Sequence, residues 1–188
     1  MKTKVLVACK IFEKELKAAL PEDSEIKIIW LEAALHCNLH HLEEGLKDAL
    51  LSTNRPRTDI RILYGTSCHP EMPLLSKEHG VETLSVRNCI EAFLGDRATE
   101  VENERTMIMT PGWVRAWPSI MKGLGWDEVD VRVSLGRYER ILIIDAGLDP
   151  LTDEETIACF DLTQVPIETE PLDLRHFKDV VHRLLNRH

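Results

Sequence analysis

Apolar positions along the chain come in two rhythms that alternate. Short apolar runs, read as strands, occur at Lys2–Ala8, Glu25–Leu31, Asp59–Tyr64, Val81–Val86, Thr106–Thr110 and Arg140–Ala146. Between them lie stretches of helical spacing. Phe12–Leu20 is stopped by Pro21, and Leu35, Leu39, Leu42, Leu46 and Leu50 mark a longer amphipathic helix. Leu74–His79 ends at Gly80, and Cys89–Leu94 is capped by Asn88 and stopped by Gly95. After Pro111 a helix runs to Lys122, and Thr152–Phe160 opens on a capping box formed by Thr152 and Glu155. Residues 126–138 read equally as strand or helix. Gln164–Glu168 fits an edge strand, and Asp173–Arg187 carries Leu174, Phe177, Val181 and Leu184 on one face.

Strand and helix alternating in this way predict an α/β fold. The expected form is a Rossmann-like three-layer sandwich, with a mostly parallel sheet of five or six strands, built as one domain over residues 1–188. The nearly continuous apolar run RILIIDA suits a central strand buried on both faces. In such folds ligands collect at the carboxyl ends of the strands.

Composition narrows the function classes. The chain has 188 residues and a formal charge of −9, which disfavours nucleic acid and anionic membrane surfaces as partners. The leading apolar run VLVAC is too short for a signal peptide, and no run is long enough for a membrane helix, so a cytoplasmic protein with reduced thiols is expected. Five cysteines, an odd number, exclude complete disulfide pairing.

The candidate chemistry appears when the residues after each strand are read in turn. They are Cys9; His36-Cys37; Tyr64, Gly65, Cys68 and His69; Arg87, Asn88 and Cys89; Thr110 to Trp113; and Asp145 to Gly147. A parallel sheet brings most of these to one edge. Thiolates with imidazoles suit zinc, or iron in a sulfur-rich site, so Cys9, His36, Cys68, His69 and Cys89 are the expected ligands. Tyr64, Gly65, Arg87, Trp113 and Asp145 are expected to line the site of a cofactor. Cys89, at a helix start, should have its thiol pKa lowered by the dipole.

Simpler readings stand beside these. Cys159 lies on an apolar helix face and reads as core, and Cys37 reads as packing. His36 and His40 are four apart, as in zinc helices, but the run HCNLH lacks the metalloprotease glutamate. His40, His41, His182 and His188 read as surface, and His79 as a helix C-terminal residue. Asp145 either orients a ligand histidine or caps the next loop. Trp113 and Trp117 wall a flat pocket or simply pack. Arg87 pairs with a carboxylate by default. No nucleotide-binding fingerprint and no GxSxG elbow occurs.

Taken in order, Cys9, Leu35-His36, Tyr64-Gly65 with Cys68, Arg87-Asn88-Cys89-Ile90, Thr110-Pro111-Gly112-Trp113 and Arg137-Tyr138-Glu139-Arg140 with Asp145 and Gly147 resemble domain-of-unknown-function family 1638. The sequence departs from the family in having Cys9-Lys10 for Cys-Gly, and in a stretched Tyr-Gly-x-Cys spacing. The resemblance implies an association with corrinoid-dependent methyltransferase systems of one-carbon metabolism, and so a corrinoid protein or methyltransferase as partner, with corrinoid reached through that partner. Three functions follow. The first is a zinc or iron protein acting in methyl transfer. The second is a non-catalytic carrier of a metal or corrinoid. The third is a metal-free cysteine enzyme with Cys68 as nucleophile and His69 or His36 as base.

Overall fold

The structure is a computed structural model that describes residues 4–21, 24–53, 56 and 59–186, without the side chain of His36. It is α/β, and every strand pairing in it is parallel. The strands form two sheets rather than the one expected. β1 (Lys4–Cys9), β2 (Ile26–Leu31), β3 (Ile60–Leu63) and β4 (Glu82–Thr83) lie in the order β2-β1-β3-β4. β5 (Thr106–Met109), β6 (Arg140–Asp145) and β7 (Ile167–Pro171) lie in the order β5-β6-β7. The central strands are the most apolar, since β1, β3 and the middle of β6 are buried almost throughout.

Most predicted helices occur. α1 (Glu13–Ala19) follows a 3-10 turn at Lys10–Phe12, and α2 (Leu39–Ser52) follows another at Ala33–Cys37. α3 (Met72–His79) and α4 (Cys89–Leu94) end at Gly80 and Gly95, both at positive φ. α5 (Arg97–Asn103) was not anticipated, because its mixed polar run has little periodicity. α6 (Pro111–Leu124) is followed by α7 (Glu128–Leu135), which makes the middle of the ambiguous stretch a helix opened by an Asp127 capping box. α8 (Asp153–Thr163) opens on the expected Thr152–Glu155 box, and α9 (Arg175–Asn186) closes the fold. Val81–Val86 shrinks to the two-residue β4. The predicted edge strand moves to β7 at the rim of the second sheet. Lys2, Thr3 and His188 lie outside the described residues.

Asn38 breaks the predicted long helix. It is extended (φ −139°, ψ 109°), and its side chain accepts from the backbone N–H groups of His40 and His41. His36 and His40 therefore belong to two separate helical segments, not to one continuous helix. The His40 side chain is exposed and meets Glu44 in an i,i+4 pair.

Two contacts tie the halves together. α9 crosses back to the first sheet. Phe177 meets Phe12 and Phe93 at centroid distances of 5.4 and 4.7 Å, and Phe12 meets Phe93 at 5.5 Å. Such aromatic contacts add about 0.5–1.5 kcal/mol each beyond burial. Arg61, buried in β3, donates to the Leu184 carbonyl of α9, which keeps its charge hydrogen-bonded. On the other side, the start of α6 abuts the 3-10 turn after β1, where a Cβ on Gly112 would lie 3.1 Å from the Ile11 carbonyl oxygen. The carboxyl ends of β1, β3, β5 and β6 thereby face one seam.

Candidate thiol site

Three of the five cysteines come together at this seam. Cys9 closes β1 and is buried. After β3, the chain from Gly65 to Ser67 runs beside residues 86–87, with Thr66 N–H donating to Val86 O (2.9 Å) and Ser67 N–H to Arg87 O (2.8 Å). This pairing requires a glycine, because a Cβ at residue 65 would lie 2.2 Å from the Arg87 carbonyl oxygen. Cys68 then closes a turn onto the Gly65 carbonyl. Cys89 sits at the first position of α4, whose Asn88 cap accepts from Glu91 N–H (2.9 Å) as predicted. The close approach at Gly65 thus sets the loop holding Cys68 against the loop holding Cys89.

Each of the three thiols lies within electrostatic reach of the other two. The Tyr64 hydroxyl lies within electrostatic reach of the Cys9 thiol, and Trp113 Nε1–H donates to Cys89 Sγ at 3.4 Å. Cys9 forms the buried floor, and Cys68 and Cys89 are half-buried.

Burial dominates the electrostatics. Desolvation pushes the Cys9 thiol up to about 12, the neighbouring thiols adding to the rise. Desolvation and then the proximity of Cys89 push Cys68 up to about 12. Cys89 is raised as well, against expectation. The backbone N–H groups of Cys89 and Ile90 act in the predicted direction, but burial outweighs them. Tyr64 is raised by the same burial. All three cysteines are therefore neutral thiols near neutral pH in this arrangement.

The other sequence candidates are distributed around this cluster. His69 is buried, but its Nδ1 accepts from Glu71 N–H (3.1 Å), and the carboxylate it acts on is Glu43 of α2. The side chain of His36 lies outside the described residues. Asp145 takes the simpler of its two roles, its Oδ1 accepting from Gly147 N–H (2.8 Å) across a turn where Gly147 has φ +70°. Arg87 pairs with Glu91 (2.6 Å) and donates to Thr99, the default reading for it. Trp113 faces the thiols, whereas Trp117 is core, so the two do not wall one pocket. Cys37 donates to the Ile120 carbonyl of α6 and Cys159 is buried in α8, both as packing.

Sequence reasoning missed Glu15. It lies in α1, is only 6% exposed, and acts on Cys89. Its carboxyl is raised by burial first and then by Asp145 and Asp149. The signal was available: Ile11, Phe12, Glu15, Leu16 and Ala19 fall on one helical stripe, and a carboxylate on an apolar stripe is out of place. Glu15 also lines a cleft of about 300 Å³ between the halves, with Lys10, Gly112, Arg115, Asp145 and Asp149. The cleft therefore opens beside the thiol cluster.

Among the described residues, no helix is long and apolar enough to cross a membrane. A family model described as "Protein of unknown function (DUF1638)" matches residues 30–181. No curated protein and no solved structure matches the chain.

Proposed function

The chain belongs to the DUF1638 family, and from the geometry of its thiols we propose that it is a metal-binding protein whose ligands are Cys9, Cys68 and Cys89. The observation that carries this reading is that three thiols delivered by three separate segments, the ends of β1 and β3 and the start of α4, lie within electrostatic reach of one another. Three soft donors in one place suit zinc or ferrous iron better than magnesium or calcium. The two half-buried thiols leave the site open on one side, so a fourth position can hold water or a substrate thiol. A metal there would polarise what it binds and lower that group's pKa.

As the side chains stand, no three His, Cys, Asp or Glu residues among the described ones form a ligand set for a metal ion. Metal uptake therefore includes loss of the thiol protons and a turn of the side chains. All five cysteines are free, which fits a reducing, cytoplasmic compartment. The raised Cys68 thiol disfavours the metal-free cysteine enzyme, since a thiol held near 12 is a weak nucleophile at neutral pH. The corrinoid-linked role rests on the family resemblance alone and forms no part of this proposal.

Elemental analysis of protein purified from metal-replete cells tests the reading. About one zinc or iron per chain is expected, as a single cysteine site would give. Cys68→Ser should lose most of it, and Cys159→Ser should keep it. Folded, metal-free wild-type protein would reject the proposal.

A further inference from the structure

The cleft beside the thiols has an imbalance of charge that the metal reading does not use. Three cations line it, and each is already matched. Lys10 pairs with Glu32 at 2.9 Å, Lys14 with Asp149 at 3.2 Å, and Arg115 with Glu155 at 2.7 Å and Asp149 at 3.2 Å. The Lys14–Asp149 pair joins α1 to the loop after β6, spanning the two halves. Of the five lining carboxylates, Glu13, Glu32 and Asp149 are matched by Lys17, Lys10 and the two cations above.

Glu15 and Asp145 form no ion pair among the described residues, although Lys14 acts on Glu15 and Arg115 on Asp145 at longer range. Glu15 is more than nine-tenths buried, lines the cleft, and accepts from its own backbone N–H. Asp145 reaches the cleft from the end of β6 and spends one carboxylate oxygen on Gly147 N–H. The two carboxylates come from opposite halves and act on each other. Burying a carboxylate without a paired cation is costly, and two acting on each other cost more.

We propose that this cleft binds a small organic cation, a protonated amine whose ammonium group sits between Glu15 and Asp145. An ammonium supplies three N–H donors and a single positive charge, which suits two carboxylates that each have acceptor capacity left. The hydrocarbon part of the amine would lie along Ile11, Ala33, Ala116 and Leu148, which give the cleft its apolar wall. The inference does not depend on the thiols holding a metal.

Isothermal titration at low salt and pH 8 tests it, with n-butylammonium chloride as the probe, n-butanol as its neutral analogue and magnesium chloride as the inorganic cation. Butylammonium should bind saturably and butanol should not. Glu15→Gln and Asp145→Asn should each weaken binding at least about tenfold, as loss of one charged partner does. Both replacements keep shape and hydrogen-bonding capacity, and circular dichroism checks that the variants are folded. The proposal is overturned if folded wild-type protein shows no saturable binding, or if both variants bind as tightly as wild type. Equal binding of butanol, or displacement of butylammonium by magnesium at equal concentration, would overturn it too.

Discussion

Gly65→Ala should collapse the thiol site and most of the fold with it. The added methyl would stand 2.2 Å from the Arg87 carbonyl oxygen, 2.5 Å from its carbon and 2.7 Å from Asn88 nitrogen. These are backbone atoms and cannot swing aside as a side chain could. The segments that must part are held by the Thr66–Val86 and Ser67–Arg87 hydrogen bonds, and they lead directly to Cys68 and Cys89. Overpacking of this kind costs about 3 kcal/mol or more, a large share of the roughly 5–15 kcal/mol that holds a domain of this size folded. Gly80→Ala is the control. Gly80 has φ +61° but nothing within 4 Å of a Cβ, so only the left-handed backbone resists and the cost is about 1 kcal/mol. Thermal unfolding of the two variants should separate them widely. A Gly65→Ala protein that melts with wild type would mean that the loops do not cross as described.

Metal affinity should rise steeply with pH. In the metal-free protein burial holds Cys9 and Cys68 near 12, and Cys89 is raised also. All three are protonated through the neutral range, whereas a bound metal requires thiolates. The sign follows: each proton released makes binding about tenfold tighter per pH unit, and three give about a thousandfold. Zinc competition against a chelator at about pH 6, 7 and 8 would measure the slope, and a pH indicator would count the protons. Ordinary thiols, near 8.5, would instead let the slope flatten at the upper end of this range. A pH-independent affinity would mean that the metal sits on other ligands.

The sequence made the order of the elements legible, because short apolar runs and helical stripes differ in period whatever surrounds them. It also placed Cys9, Cys68 and Cys89 at strand ends, which in parallel sheets is enough to predict a shared edge. What it could not show was the division of the strands into two sheets. That depends on which strands pair with which, a long-range choice with no local period. The Asn38 break was readable in principle as an N-cap, but the leucine repeat ran through it and masked it. His69 stands next to Cys68 in sequence, and its Nδ1 accepts from Glu71 N–H, a local contact that adjacency alone does not reveal. The shift at Cys89 was misread because a helix terminus is visible in sequence and burial is not. Glu15 lies inside a helix, away from the strand ends where the other candidates stand, and only its place on an apolar stripe marks it.

The most direct test of the central claim is the sulfur count around the metal in zinc-loaded protein, measured by X-ray absorption at the zinc edge. Three sulfur scatterers at about 2.3 Å are expected, falling to two in Cys68→Ser. A shell of nitrogen and oxygen alone, or a sulfur count that Cys68→Ser leaves unchanged, would contradict it.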